Sequence, residues 1–411
     1  MSWLKIIIGI AICLLLAFQA GMNGFANWYE AKAIADSDID AAKKATRLAP
    51  FNADVHATFA NILLQNGQSA DAMIEFEKAV ALRPADFRLW LQLSSAREKN
   101  SATEEAIKAL HKAIRHAPFY AEPRWQLGRL LLQTGRIDEA FAEIRQAVVN
   151  DANLLPTATE LTWQTFNGNT TKVVQALQPA NDTARITIAH FFVKHGKIAE
   201  AMSLFRSASG LTAQERREFL IDLLEAKRFA EGYEVWAGLR NSQGNGVAKI
   251  NDPDFEGQVV FNDIGFGWQL VRGVKGANFA LDASQSFSGK QSLRIDMRDV
   301  PGETPALLSQ LVLVKPNTKY RLTYSACTKD LFALAGSPVL TITGAEGVSY
   351  DLAGSEPLSQ GTNKWKTYSV NFVTEKNTTA VVIALRRQPC RETDCSIRGT
   401  IWLDNFELKS F

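Results

Sequence analysis

The chain has 411 residues, with 45 Lys and Arg against 43 Asp and Glu, a formal net charge of +2. That balance gives no basic footprint for nucleic acid, and the length calls for two or more domains. An apolar share of 46% beside 21% charged residues is that of a folded chain, not a disordered one.

The first element is apolar. From Trp3 to Met22 the only charge is Lys5, and about twenty such residues cross ~30 Å of hydrocarbon. Residues 1–26 are therefore expected to form a transmembrane helix that anchors the chain, with Lys5 keeping the N-terminal end cytoplasmic. The competing expectation is a signal peptide cleaved at Gly24-Phe25-Ala26. Cys13 follows Ile12, where a lipobox would need a small residue. On either reading the bulk of the chain is exported. A bacterial inner-membrane protein with a single span and a periplasmic body is the expectation.

A period of 34 follows. Pro50, Pro84 and Pro118 keep it, as do Gly67, Ser101 and Gly135, and Ala72, Ala106 and Ala140. Ala79, Ala113 and Ala147 share the step, and so do the small residues Ala60, Ser94 and Gly128. Phe59, Leu93 and Leu127, then Phe76, Leu110 and Ile144, fall in register. Paired antiparallel helices explain the pattern. Small residues let helices A and B cross closely, large ones fill the space between pairs, Gly or Ser opens the A–B turn, and Pro ends helix B.

The segment "WQLGRLLLQTGRIDEAFAEIRQAV" from Trp125 resembles the tetratricopeptide (TPR) repeat family. The resemblance is clear over 53–152 and degenerate over 153–240, where Gly196, Ala201, Phe205 and Ala208 keep the spacing and Ala189 takes the small crossing position. It implies an all-α TPR solenoid over 27–240 that binds a protein partner along the concave A-helix face. Asn61, Gln65, Arg88, Trp125, Arg129 and His190 are the partner-groove candidates it implies. Stepping back 34 residues from the first clear repeat puts Ala26, Ala45 and Pro50 in register, so the first A helix overlaps the end of the apolar segment. This favours a retained anchor over a cleaved one.

Residues 241–249 read as a Gly/Asn/Ser linker, after which helical periodicity stops. "SLRIDM", "LLSQLVLV", "KYRLTYSAC", "VLTIT", "KWKTYSVNF", "AVVIAL" and "GTIWLDNFEL" alternate as strands separated by turn residues. Trp365 and Tyr368 are expected in the core of a central strand. Cys390 and Cys395, five apart in one loop, are expected to form a disulfide in an oxidising compartment.

The ordered landmarks "NDPDFEG", "GFGW", "SFSGKQSLRID", "KWKTYSVNF" and "GTIWLDNFEL" resemble the jelly-roll carbohydrate-binding modules of cellulases and xylanases, over about 250–411. The resemblance implies a structural calcium where the first and last strands meet. Glu256 and Asp404 would supply carboxylates, carbonyls near Ser288 and Lys290 would complete the shell, and Asn251 or Asp254 are substitutes. A glycan would meet the aromatic ring of Trp268, for which a place in the core is the equal alternative, and the polar candidates Arg294, Asp296, Gln310, Arg321 and Arg386. The face read as concave holds few aromatics, so loss of sugar binding is an open alternative.

Motifs of catalysis do not assemble. "SFSGKQS" lacks the upstream Gly and the following Ser/Thr of a phosphate loop, and "GFGWQL" lacks the third Gly of a dinucleotide fingerprint. All five His lie before residue 200. The expectation is a non-enzymatic, membrane-anchored periplasmic scaffold. Its TPR part would hold a protein, and its jelly roll a polysaccharide in exopolysaccharide or surface-glycan assembly or export. The alternatives are a scaffold binding proteins alone and, less favoured, a glycoside hydrolase.

Overall fold

The computed structural model describes residues 2–239, 246–258, 264–270, 275–300, 306–334, 336–346, 351–387 and 397–411. The chain divides into two compact units, Met1–Pro179 and Ala180–Phe411.

The first unit is helical. α1 (Ser2–Asp36) is one unbroken helix, and α2 (Ile39–Leu48) folds back on it. The pairs α3 (Ala53–Gln65) with α4 (Ser69–Leu82), α5 (Phe87–Lys99) with α6 (Thr103–His116), and α7 (Ala121–Gln133) with α8 (Ile137–Asn150) follow. A 3-10 turn at Ala152–Leu154 leads to α9 (Leu155–Thr165) and α10 (Thr170–Leu177), the degenerate pair.

The period of 34 has a direct structural meaning. Ala60, Ser94 and Gly128 are buried at the A–B crossings. A Cβ on Gly128 would lie 2.6 Å from Ile144 Cγ1 and 3.1 Å from the Ala140 carbonyl oxygen, so α7 and α8 approach closely there. Gly67 and Gly135 adopt φ of +76°, and Ser101 in the middle repeat adopts +60°. That left-handed position is the one Gly occupies at least cost. Asn52 and Asp86 cap the A helices from equivalent positions, accepting from the N–H groups of Asp54 and Arg88.

A second set of equivalent contacts was not expected. His56 Nε2 meets the Pro50 carbonyl at 3.0 Å, the Trp90 indole N–H donates to the Pro84 carbonyl at 2.8 Å, and Arg124 Nε donates to the Pro118 carbonyl at 3.5 Å. One position of each A helix therefore satisfies the carbonyl of the proline that ended the preceding helix. In the first and third repeats the same side chain also reaches helix B: His56 Nδ1 to Glu75 at 2.6 Å and Arg124 Nη1 to Glu143 at 2.7 Å. In the second, Ala109 takes the place of the acid.

The second unit begins with two helical pairs, α11 (Asp182–Lys194) with α12 (Ile198–Ser207) and α13 (Ala213–Glu225) with α14 (Phe229–Leu239). Ten strands follow among the described residues: β1 (Gln269–Leu270), β2 (Ala277–Asp282), β3 (Ser292–Val300), β4 (Leu308–Leu313), β5 (Lys319–Ala333), β6 (Pro338–Gly344), β7 (Asp351–Gly354), β8 (Gly361–Val373), β9 (Ala380–Arg387) and β10 (Ile397–Ser410). They form two antiparallel sheets, ordered β1-β4-β9-β6-β7 and β2-β3-β10-β5-β8. Leu308, Val312, Leu340 and Ile383 of the first sheet share one core with Leu293, Ile295, Tyr324 and Leu403 of the second. The C-terminal region is thus an all-β sandwich, and each of the seven expected strands is present. β1, β2 and β7 are additional.

The boundary between compact units falls at Pro179, well before the linker at 241–249 that composition marks. The reason is visible at α14. Tyr233 and Trp236 pack on Phe266 at ring distances of 5.1 and 5.8 Å, so the last helical pair closes onto the loop that opens the sandwich.

Candidate functional site

Two surfaces could serve function: the A-helix face of the repeats, and the outer face of the β2-β3-β10-β5-β8 sheet. On the A helices, Asn61 and Trp125 are half-buried, while Gln65, Arg88 and Arg129 are exposed. Arg88 lies over the Phe87 ring at 5.4 Å. These five belong to the first unit. His190 lies on α11 of the second unit, with Nδ1 2.6 Å from Asp222 Oδ2 and its ring edge-on to Phe219. A groove lined by all six is not something either unit builds by itself.

The outer face of the sheet is built by strand alternation. Arg294 on β3, Trp402 on β10 and Cys327 on β5 form one cross-strand row. Asp404, Ser325 and Thr367 form the next, along β10, β5 and β8. In the first row the Arg294 guanidinium lies 5.9 Å from the Trp402 ring, and the indole N–H donates to Asp282 at 2.9 Å. Hydrogen bonds from Ser284 and then Trp402 hold the Asp282 carboxyl below the usual carboxylate range. Asp296 accepts from Arg294 and from the Thr400 hydroxyl, closing a polar cluster. Burial pushes the Cys327 thiol up to about 11, so it is a thiol and not a thiolate at neutral pH.

Beside the second row stands an aromatic pair, one member of which, Trp365, was expected in the core. Trp365 is half-buried on the edge strand β8, and its ring centroid is 5.8 Å from that of Phe287, which is 45% exposed. Phe287 is held there because its N–H donates to Asp404 at 2.7 Å.

Of the six expected sugar contacts, the structure brings together Arg294 and Asp296 only. Trp268 is core: it stacks on Phe255 at 5.2 Å, meets Phe406 edge-on at 4.8 Å, and donates its indole N–H to the Asp252 carbonyl. Gln310 is fully buried, with its amide accepting from and donating to the Asn251 backbone. Arg321 sits at the far end of β5, bonded to Asn371 and lying over the Phe411 ring. Arg386 is on the other sheet, opposite Val339. The expectation for Trp365 is corrected in the opposite sense, from core to partly accessible.

The strand-entry carboxylates do converge on the 287–291 loop. Asp404 is fully buried and accepts from the N–H groups of Phe287, Ser288 and Asn405. Glu256 accepts from the N–H groups of Lys290 and Gln291. Burial still lifts the Asp404 carboxyl above its ordinary range, against those N–H bonds. Calcium takes about six to eight oxygen ligands, whereas Ser288 and Lys290 turn donors toward these carboxylates. Both carboxylates are thus engaged by backbone N–H groups of the 287–291 loop. Among the described residues no group of three or more His, Cys, Asp and Glu is placed to hold a metal ion. Cys390 and Cys395, the expected disulfide, lie outside the described residues.

Comparison with known proteins agrees with the repeat geometry. Residues 53–86 and 99–154 match models of the tetratricopeptide repeat. A peroxisomal targeting signal receptor of Candida albicans is 27% identical over 109 residues, which is 26% of this chain and 18% of that protein. The chain thus spans less than a fifth of that relative's length. Among solved structures, MamA is 20% identical, covering 48% of this chain and 94% of its own, with a TM-score of 0.28. A CBM4 structure is 14% identical, covering 40% of this chain and 100% of its own, with a TM-score of 0.30. The N-terminal region is built of TPR repeats, which makes it a protein–protein interaction scaffold.

Proposed function

We propose that the chain is a non-catalytic, membrane-anchored periplasmic scaffold of a bacterial inner membrane. Its repeats hold a protein partner, and its sandwich, a jelly-roll module, contacts a polysaccharide during assembly or export of a surface glycan. α1 is the one helix among the described residues that is long and apolar enough to cross a membrane, by length and composition. The sugar reading rests on one observation above the rest: the accessible Trp365–Phe287 pair, with the exposed Thr367 hydroxyl two residues along β8. Aromatic faces offer apolar area for a pyranose ring, and a few placed polar groups orient its hydroxyls.

Glycan-array binding by the full chain tests this reading. The wild type binds a neutral or acidic polysaccharide, and Trp365→Ala with Phe287→Ala abolishes the signal while binding of the repeat partner persists. Absence of any glycan signal from the wild type overturns it. The reading of a protein-only scaffold is then favoured, and the core placement of Trp268 and Gln310 already speaks for it.

A further inference from the structure

The apolar half of α1 and the first repeat are parts of one helix. Met22 ends the apolar run, and Ala26 is already packed with Ala45, Ala49 and Val55. Four helical steps separate the two, about 6 Å at 1.5 Å per residue. The headgroup layer on each side of a bilayer is of the same order, ~5–8 Å. A chain anchored by α1 therefore holds its first repeat against the bilayer surface, with no linker to lift it away.

The direction of the A helices says which edge of the repeats is lowered. α1 acts as the A helix of the first pair, packing on α2 and on α3, the next A helix. A helices run parallel in such a stack, so the turns that precede α3, α5 and α7 lie at the edge from which the apolar half of α1 projects. A groove of ≈ 730 Å³ between Phe18, Gln19 and Met22 on α1 and Phe51 and Arg83 on those turns shows the adjacency for the first two turns.

The two edges differ in chemistry. The edge on the α1 side carries Phe51 at 84%, Phe119 at 85% and Tyr120 at 54% exposure. Phe51 and Phe119 occupy the same position two repeats apart, directly after the helix-ending proline. The opposite edge is made of Asn66-Gly67-Gln68, Asn100-Ser101-Ala102 and Thr134-Gly135-Arg136, with no aromatic residue. On α1 itself Phe18 is 68% exposed and lines the same groove as Phe51. Aromatic side chains concentrate at the membrane–water interface, where an apolar ring and hydration are satisfied together.

We infer that the edge formed by the turns before α3 and α7 docks on the phospholipid headgroup layer, with Phe51, next to Phe18 of α1, and Phe119 and Tyr120 inserted there. This rests on the membrane-anchored reading above. The repeats then lie along the bilayer, and their A–B turns point away from it.

Photocrosslinking of the full chain in phosphatidylethanolamine–phosphatidylglycerol vesicles tests the inference, using a phospholipid that carries a diazirine near its glycerol. Lipid adducts mapped by mass spectrometry are expected in 2–28, 47–54 and 117–122, and not in 66–69 or 134–137. Phe51→Ser with Phe119→Ser is expected to lose the adducts at the two turns and keep those in 2–28. Adducts confined to 2–28 overturn the docking and leave the anchor standing. Adducts absent from 2–28 overturn the anchor, and the docking with it. Should the double variant fold poorly, the wild-type adduct map still decides.

Discussion

Glu75→Ala tests the proline-carbonyl contacts of the first repeat. The His56 and Glu75 side chains are 7% and 12% exposed, and the imidazole lies between the Glu75 carboxylate and the Pro50 carbonyl, both acceptors. An imidazolium satisfies both, and the hydrogen bond to Glu75 is the main reason the His56 pKa is raised from its ordinary value. For Glu75 burial is the largest single influence and pushes its pKa up, yet His56 and Lys78 together outweigh it and the carboxyl is lowered. Removing the carboxylate strands a buried donor and deletes a charge-assisted hydrogen bond, a loss of about 2–3 kcal/mol. The signs set the pH window. His56, with a raised pKa, contributes stability that is present below its unfolded value and fades as pH rises through the folded one. Glu75, with a lowered pKa, contributes stability that is present above its unfolded value and fades as pH falls through the folded one.

Native-state hydrogen exchange of α3 and α4 in the full chain is the suitable assay, because a two-unit protein has no single unfolding free energy. The Glu75→Ala effect is expected to shrink at both ends of a scan between about pH 4 and pH 9, as His56 and Glu75 titrate. The double variant His56→Trp, Glu75→Ala copies the Trp90–Ala109 arrangement of the second repeat and should recover much of the loss. An unchanged exchange rate in Glu75→Ala, or a loss equal at every pH, refutes the reasoning.

Two further predictions concern the second unit. Gly265 has a φ of +117°, and a Cβ there would lie 2.3 Å from Trp236 Cδ1. Gly265→Ala should therefore lower the stability of this unit by about 2–4 kcal/mol, read from its thermal midpoint. Asp404→Asn replaces an acceptor that three backbone N–H groups address and should cost about 2 kcal/mol. A chelator should leave the wild-type midpoint where it was, and a calcium-dependent rise would show that the 287–291 loop can turn carbonyls inward after all.

The repeats were legible because every pair imposes the same demand at the same spacing. A crossing tolerates only Ala60, Ser94 or Gly128, and this selection shows in residue identity alone. The proline-carbonyl contact was not legible, since His56, Trp90 and Arg124 share no residue type, only an N–H group at the same height. The sandwich strands showed by alternation, but Trp365 was expected in the core and Trp268 was left between core and ligand. Trp268 precedes a strand of two residues, too short for alternation to assign a face. Trp365 lies where the β5–β8 register shifts, between the Ala326–Lys366 and Thr328–Asn363 pairs. Trp365 and the buried Tyr368 also stand three apart, so alternation alone puts them on opposite faces, which an expectation of both in the core overlooked.

The aromatic seam at Tyr233, Trp236 and Phe266 bears on how portable the sandwich is. Gly246 and Gly265 sit so close that a Cβ would lie 2.4 Å from the Tyr233 ring and 2.3 Å from that of Trp236. A cut at the linker would leave Phe266 and these glycine-lined contacts uncovered on one fragment, and two large rings bare on the other. The sandwich cannot be lent to another protein as a free-standing cassette in its present form. Recombination that moves it has to carry α13 and α14 along, and a workable excision point lies nearer residue 180 than residue 245.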